Sequence, residues 1–248
     1  KADLIYSANT LSHIENFDKI FKSINSALSD RGVLIIEDPS LLKCLQNLAY
    51  DQFYCEHIYV FSTLALREVL KIFKLEIFDV ENTKTHGGSN RYYIKKSSNS
   101  LYKINNRVNA EIKKELQFGL NKFSTYQKFA KNVKTSKSKL LKIFSSLNKK
   151  KLRIIGYGAT AKSCTVLNYC GLGKSNIKYF YDTTSYKVNK YLPGSKILIK
   201  KYKKLDNKEI DVAFLGAWNF KKEIFKKEKK FIERGGKFIT HVPYPKII

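Results

Sequence analysis

Two short segments of the chain contain most of the side chains that could do chemistry. Four acid or base groups fall within seven residues, namely Asp51, Tyr54, Glu56 and His57. The second segment is His86-Gly87-Gly88-Ser89-Asn90-Arg91. The first can move a proton near neutral pH, because an imidazole ordinarily titrates there. The second can bring backbone close to an anionic or polar ligand, because glycine adopts conformations that other residues avoid.

The first cluster follows a predicted strand that ends at Glu37-Asp38-Pro39. Ligands of open α/β sheets gather beyond the carboxyl ends of the strands, so this position suits an active site. Glu56 or Tyr54 could orient the His57 ring and tune its basicity. A surface loop with satisfied polar groups is the alternative. His13 also lies near a strand end, although a single helix histidine is usually structural.

A glycine-rich turn, Gly156-Tyr157-Gly158-Ala159-Thr160-Ala161, fits the G-x-G-x-x-A pattern between a strand and a helix. Asp182 ends the following strand. This combination is typical of a dinucleotide site, in which the turn approaches phosphate at a helix N-terminus. Two alternatives stay open. One is a tight turn without a nucleotide, and the other is a different phosphate ligand, such as a nucleotide-sugar diphosphate.

The N-terminal part alternates between strand and helix patterns. Strands are predicted at 3–6 and 33–36, and the helix between them, 11–28, has apolar residues at helical spacing and a stop at Asp30-Arg31-Gly32. A second helix over 62–73 can be capped by Ser62. Residues 76–80 and 91–94 are predicted to pair as antiparallel strands. Strand, helix and strand in succession indicate a parallel α/β sheet.

A long Lys-rich helical region is predicted over 102–147, and a new α/β unit follows it. The predicted strands of this unit are 152–155, 177–182, 211–215 and 237–239, with helices over 162–170 and 223–234. We therefore expect an α/β fold with three parts. They are a first α/β domain over 1–100, a helical bridge over 101–150 and a second, Rossmann-like α/β domain over 151–248.

Composition limits the class of protein. The chain has 248 residues, of which 43% are hydrophobic, and no apolar run is long enough to span a bilayer. Its net charge is +26, mostly from lysines spread along the chain, which indicates lysine-covered exposed faces. A basic module that binds nucleic acid or an anionic surface is the alternative. The four cysteines lack a C-x-x-C spacing, so we expect a reduced, cytoplasmic protein without a metal site in this part.

Six segments together resemble those of the S-adenosylmethionine-dependent C-methyltransferases that act on nucleotide-linked keto-deoxysugars. They occur in that family's order, and they are Asp51–His57, His86–Arg91, Gly156–Lys162, Leu167–Gly171, Tyr191–Gly194 and Ala217–Asn219. The resemblance implies a partial Rossmann-type methyltransferase domain, followed by a second Rossmann-like domain that contacts the sugar nucleotide. It also implies that an N-terminal zinc-binding domain belongs to the missing part. The absence of Met agrees with our expectation that the chain is the C-terminal part of something longer.

The resemblance assigns roles to particular residues. His57 would be the general base that removes the proton beside a ketone, with Tyr54, Glu56 and His13 around it. The resulting enolate carbon would attack the methyl group of the cofactor. Cys55 stands where relatives often have another histidine. The remaining assignments are substrate contacts at His86, Gly87, Ser89, Arg91, Gly158, Ala159, Thr160, Lys162 and Asn168, and cofactor contacts at Ser7, Ala8 and Asn9.

The partners implied are S-adenosylmethionine and a nucleotide-diphosphate sugar, without nucleic acid or membrane, and we expect a monomer. The alternative function is an NAD-linked oxidoreductase or epimerase that uses Gly156, Gly158 and Asp182. His241, near the C-terminus, is predicted to be structural.

Overall fold

The structure, a computed structural model, describes residues 1–206 and 209–248. It divides into two compact units. The first unit contains Lys1–Gln46 and Cys55–Phe129, and the second contains Asn47–Tyr54 and Ala130–Ile248. The second unit therefore includes eight residues from the first half of the chain. This division differs from the predicted boundaries at 100 and 150.

The first unit is built on a four-stranded sheet with the order β1-β2-β4-β3. Its strands are β1 Ala2–Ala8, β2 Leu28–Pro39, β3 Leu75–Thr83 and β4 Ser89–Lys96. β1 and β2 run parallel, whereas β4 is antiparallel to both of its neighbours. The predicted parallel pair and the predicted antiparallel pair are both confirmed. The carboxyl ends of β1 and β2 meet at one edge, where Ala8 pairs with Glu37.

Helix α1 spans Phe17–Ala27, and it begins later than the predicted 11–28. The Asn16 side chain accepts a hydrogen bond from the Lys19 amide, which sets the start of the helix. His13 consequently lies in a preceding 3-10 turn, Leu11–His13, rather than one turn into the helix. The predicted glycine stop at Gly32 is also wrong, because β2 has already begun at Leu28. A Cβ at Gly32 would lie 2.8 Å from the Ala2 carbonyl oxygen, so glycine permits close strand contact there.

Two further helices pack on this sheet, and a short one follows β2. The short helix α2 spans Leu41–Gln46, and α3 spans Thr63–Ile72 with Ser62 as its predicted cap, accepting from the Ala65 amide. Helix α4, Asn106–Phe118, contributes Val108 and Ile112 to the core of the first unit. The apolar stripes of α3 and α4 thus cover the sheet, as amphipathic spacing requires.

The predicted single helix over 102–147 is two helices. Gly119 adopts the left-handed conformation and caps the C-terminus of α4, because a residue with a Cβ would be strained at its φ of 89°. The second helix, α5, spans Phe123–Lys149, and the division between the units falls within it. Glu115 of α4 accepts hydrogen bonds from the Thr63 and Leu64 amides, which joins α4 to the N-terminus of α3.

The second unit has a six-stranded sheet with the order β10-β9-β8-β5-β6-β7. The strands are β5 Ile154–Tyr157, β6 Phe180–Asp182, β7 Ile199–Lys201, β8 Val212–Leu215, β9 Lys237–Thr240 and β10 Lys246–Ile247. All pairs are parallel except β9–β10, so the Rossmann-like α/β pattern predicted from the sequence is confirmed. Helix α6 spans Ala161–Cys170, and the predicted helix over 223–234 is split into α7 Lys221–Lys227 and α8 Lys229–Glu233.

Both units are α/β, as expected. Within the described residues, no helix combines the length and the apolar character that crossing a bilayer demands.

Candidate active site

His13 and His57 come together in the first unit. Their ring centroids lie 5.1 Å apart in an edge-to-face arrangement. His13 is exposed and His57 is half-buried, so this pair can meet a ligand from solvent. The turn that carries His13 is fixed by Ser12, whose carbonyl oxygen accepts a hydrogen bond from the Tyr59 amide at 3.2 Å. That bond ties the end of β1 to the segment directly after His57.

The other predicted catalytic residues have different settings. Glu56 is exposed and belongs to the first unit, whereas Tyr54 is half-buried and belongs to the second. Tyr54 and Glu56 are two positions apart in the sequence and therefore belong to different units.

Asp38 is an acid that the sequence prediction did not nominate as a site residue. It is fully buried at the carboxyl end of β2, beside Ser12 and His13. Burial raises the pKa of the Asp38 carboxyl to about 6, against the opposing effects of Ser12 and His13. The sequence signal that could have identified it is the acidic pair Glu37-Asp38 at the end of a buried parallel strand.

Glu37 and Arg91 form an ion pair at the same edge of the sheet. Nε of Arg91 lies 2.8 Å from Oε2 of Glu37, and a second guanidinium nitrogen lies 2.7 Å from it. Burial opposes ionisation of Glu37, but the hydrogen bonds from Thr85 and Arg91 outweigh it and lower the pKa. Arg91 thus keeps part of its guanidinium exposed, and its charge already has a partner.

The glycine pair beside Arg91 makes a strained turn. His86 has a φ of 52°, Gly87 of 90° and Gly88 of 129°. A Cβ at Gly88 would lie 2.8 Å from the Lys43 side chain, so both conformation and space require glycine there. Ser89 is buried, and its hydroxyl donates to the Thr85 carbonyl at 3.1 Å. Of the residues predicted to bind substrate, His86 and Gly87 are half-buried on this turn.

Ser7, Ala8 and Asn9, predicted to contact a cofactor, end β1 at this edge. All three are half-buried, and the Asn9 side-chain oxygen is enclosed without a hydrogen-bond partner in the described part of the chain. Asn9 also has a φ of 51°, a conformation that asparagine tolerates better than most residues. An enclosed acceptor of this kind fits a ligand that presents a hydrogen-bond donor.

Asp51 has a role other than acid/base chemistry. It belongs to the second unit and is fully buried, and its Oδ2 accepts a hydrogen bond from Nε1 of Trp218 at 2.6 Å. The same oxygen lies 2.9 Å from Nε2 of His241. The predicted cluster of four acid/base groups is therefore smaller, because Asp51 is committed to the interior.

The glycine turn of the second unit is held by protein groups. Asp182 accepts hydrogen bonds from the Ala159 and Thr184 amides, both at 2.8 Å. A Cβ at Gly156 would lie 2.3 Å from the Phe180 ring, and one at Gly158 would lie 2.7 Å from Cβ of Ala217. These glycines thus serve close packing, and Asp182 braces the turn itself. A dinucleotide site would instead use this carboxylate for ribose hydroxyls.

The remaining predicted substrate contacts lie around helix α6. Thr160 caps the helix and accepts from the Ser163 amide at 3.1 Å. Lys162 is buried, with its ammonium group 5.2 Å from the centre of the Trp218 ring. Asn168 is exposed and donates to the Pro193 carbonyl at 3.2 Å, which supports the Tyr191–Gly194 turn. Residues 1–206 and 209–248 hold no group of three or more His, Cys, Asp or Glu that could bind a metal.

Comparison with known proteins identifies the family. Residues 84–243 match the C-methyltransferase C-terminal domain, and residues 1–79 match a methyltransferase domain. The chain is 29% identical to the C-methyltransferase NovU of Streptomyces niveus over 247 residues, which is 100% of this chain and 59% of that protein. It thus spans less than two thirds of this relative. The family match covers well over half of the sequence, and the chain belongs to the C-methyltransferase family.

Proposed function

We propose that the protein to which this chain belongs transfers a methyl group from S-adenosylmethionine to a carbon beside the ketone of a nucleotide-linked deoxysugar. The observation that supports this most directly is the His13–His57 ring pair at the carboxyl edge of the first sheet. A histidine base with a second histidine beside it suits removal of a weakly acidic carbon-bound proton.

His57 is the proposed general base. A ring nitrogen of His57 takes the proton from the carbon next to the ketone, and the electrons of the C–H bond form the enolate. His57 is half-buried, so it is partly shielded from water and still open to a substrate. A neutral imidazole suits this step, because its ordinary pKa lies close to the working pH.

The enolate oxygen needs a hydrogen-bond donor. The Tyr54 phenol is the proposed donor, and Glu56 and His13 are the other residues proposed around the base. Such donors stabilise the charge that develops on oxygen, and they act most strongly where water is excluded. The Lys-rich surface and the exposed part of Arg91 suit a diphosphate group.

S-adenosylmethionine, when bound, supplies an electrophilic methyl group that forms the new C–C bond while its former bonding electrons stay on sulfur. Ser7, Ala8 and Asn9 are the residues proposed to hold it. The enclosed side-chain oxygen of Asn9 supports this assignment, since it can accept a hydrogen bond from an ammonium or hydroxyl group.

The test uses the intact protein and a panel of nucleoside-diphosphate-linked keto-deoxyhexoses. We expect His57→Gln to abolish both methyl transfer and exchange of the substrate α-proton with deuterated water. Binding of S-adenosylmethionine, measured by calorimetry, should persist. His86→Gln, on the half-buried turn that is predicted to contact substrate, tests substrate affinity.

Unchanged turnover in the His57→Gln protein would remove His57 from the mechanism. Titration with NAD tests the alternative oxidoreductase function, and tight binding of NAD without binding of S-adenosylmethionine would favour that alternative.

A further inference from the structure

Asp38 is an unusual acid for a protein interior. Its side chain is 0% exposed, and neither carboxyl oxygen meets a hydrogen-bond donor in acceptable geometry within the described residues. The neighbouring Ser12 hydroxyl is also buried and lacks such a partner. Buried polar groups are nearly always hydrogen-bonded, so a buried acid that faces only a poorly aligned Ser12 is unusual.

Other buried acids in the chain show what a structural carboxylate looks like. Glu115 accepts from two backbone amides at 2.7 and 2.8 Å. Glu228 accepts from the hydroxyls of Tyr157 and Tyr202 and from the Leu205 amide. Each of these acids has donors aimed at it, which offsets the cost of its burial. Ser12 faces Asp38 with its hydroxyl and its backbone amide, but these groups do not offset the burial, because the pKa of the carboxyl is still raised. A role in stabilising the fold therefore does not account for Asp38.

The groups around Asp38 identify what its charge acts upon. Ser12 and His13 face it from the turn after β1, and Glu37 precedes it on β2. Asn90 is opposite it on β4, but its amide nitrogen donates to the Tyr92 hydroxyl at 3.1 Å. Among these neighbours, His13 is the one that can carry a positive charge.

We propose that Asp38 is a positioning residue that acts through His13: it balances the positive charge that the His13–His57 pair acquires. This inference rests on the proposed function. When a ring nitrogen of His57 accepts the substrate proton, the two adjacent imidazoles gain one positive charge. A buried carboxylate beside His13 stabilises that charge, because attraction between charges is strong where water is excluded.

The pKa of Asp38, raised to about 6, supports the proposal, because the carboxyl then changes its charge within a pH range in which the reaction can be measured. Protonation of Asp38 at lower pH removes the counter-charge. The rate of α-proton removal should therefore fall as the pH is lowered through this range, with Glu37 and His13 as the titratable neighbours that also contribute.

The first test requires no substitution in the site. The carboxyl carbons of the intact protein are labelled with ¹³C and followed by NMR during a pH titration. We expect the Asp38 carboxyl to titrate near pH 6, and the His13 ring signals to shift in step with it. An Asp38 midpoint near 4, or His13 signals that do not follow it, would overturn the proposal.

The second test compares Asp38→Asn with Asp38→Glu and with Glu115→Gln, a neutralised buried acid outside the site. With the keto-deoxyhexose that the wild-type protein uses best, we expect Asp38→Asn to slow α-proton exchange and kcat by about 100-fold. KM should change little, and the acid limb of the pH profile of kcat should lose the contribution of Asp38 and keep that of the base His57. Asp38→Glu should restore part of the rate. Glu115→Gln should lower the stability of the protein and leave the pH profile of kcat unchanged.

The outcomes separate this proposal from the proposed function. A wild-type rate and pH profile in Asp38→Asn, with an active wild-type protein, overturns the role of Asp38 alone. Failure of the wild-type protein to exchange the α-proton of any keto-deoxyhexose overturns both.

Discussion

The Oδ2 atom of Asp51 lies 2.9 Å from Nε2 of His241, and both side chains are completely buried. Because a carboxylate can only accept hydrogen bonds, Nε2 of His241 carries the proton. Trp218 donates to the same oxygen at 2.6 Å, so one carboxylate joins three distant parts of the second unit. Asp51 thus anchors the segment that ends at Tyr54.

Replacing Asp51 should destabilise the second unit. Asp51→Ala leaves the buried His241 donor and the half-buried Trp218 donor without this acceptor, and we expect a loss of about 3 kcal/mol in the free energy of unfolding. Urea unfolding followed by Trp218 fluorescence measures this change in the free energy of unfolding, because the chain has a single tryptophan. Asp18→Ala, which removes an exposed ion pair with Lys22, is the control and should change little. Equal midpoints for the two variants would contradict the anchoring role.

Two glycines of the second unit, one on the glycine turn and one at the C-terminus of α6, provide a matched pair of substitutions. Gly158 and Gly171 both have a positive φ, of 85° and 68°, but a Cβ at Gly158 would lie 2.7 Å from Cβ of Ala217 and one at Gly171 would meet nothing within 4 Å. We expect Gly171→Ala to cost about 1 kcal/mol from backbone strain and Gly158→Ala about 2 kcal/mol more from the clash. Thermal unfolding of both variants tests this, and equal losses would show that space at Gly158 is unimportant.

The Glu37–Arg91 pair should make stability depend on pH in acid. The pKa of Glu37 is lowered on folding, so its ion pair stabilises the protein above the ordinary glutamate pKa of about 4 and loses that effect as the pH falls further. Arg91→Ala leaves Glu37 buried without its cation and should cost about 2 kcal/mol at pH 7. The difference between the variant and the wild type should shrink as unfolding is measured at progressively lower pH. A constant difference would contradict this.

Asp38 should have the opposite effect. Its pKa is raised to about 6, so stability is full below the unfolded value of about 4, falls as the pH rises to 6, and stays reduced above that. Asp38→Asn avoids this loss. We expect the variant to exceed the wild type by up to roughly 3 kcal/mol at pH 7 and to match it near pH 4. Chemical unfolding at the two pH values measures the difference, and a less stable variant at pH 7 would refute the assignment.

Periodicity predicted most strands and helices of both units, because they bury apolar residues, but it missed the short strands β7 and β10. It failed where local side chains decide the boundary. Asn16 delays the start of α1 and moves His13 into a separate turn. Gly119 divides one apparent helix into two. Hydrophobic spacing continues through both points, so only the capping geometry distinguishes them.

The candidate site was predicted in part. The motif around His57 indicated a base, and the family resemblance grouped His13 with it; the two rings lie 5.1 Å apart. Spacing could not reveal that Asp51 is hydrogen-bonded to His241, 190 positions away. It also could not reveal that Asp38 lacks well-aligned hydrogen-bond donors among the described residues. Both facts depend on which groups from distant segments surround a carboxylate. A single sequence contains no direct record of those neighbours.

The second unit takes Asn47–Tyr54 from a stretch otherwise assigned to the first. During synthesis, the ribosome makes this segment long before His241 and Trp218 exist. Asp51 therefore cannot form its hydrogen bonds to these partners until nearly the whole chain has emerged. Such distant pairing slows folding, because the second unit cannot be completed before its C-terminal residues are made, whereas all residues of the first unit are made much earlier. The second unit thus contains one of the earliest and the very last of the residues to be synthesised.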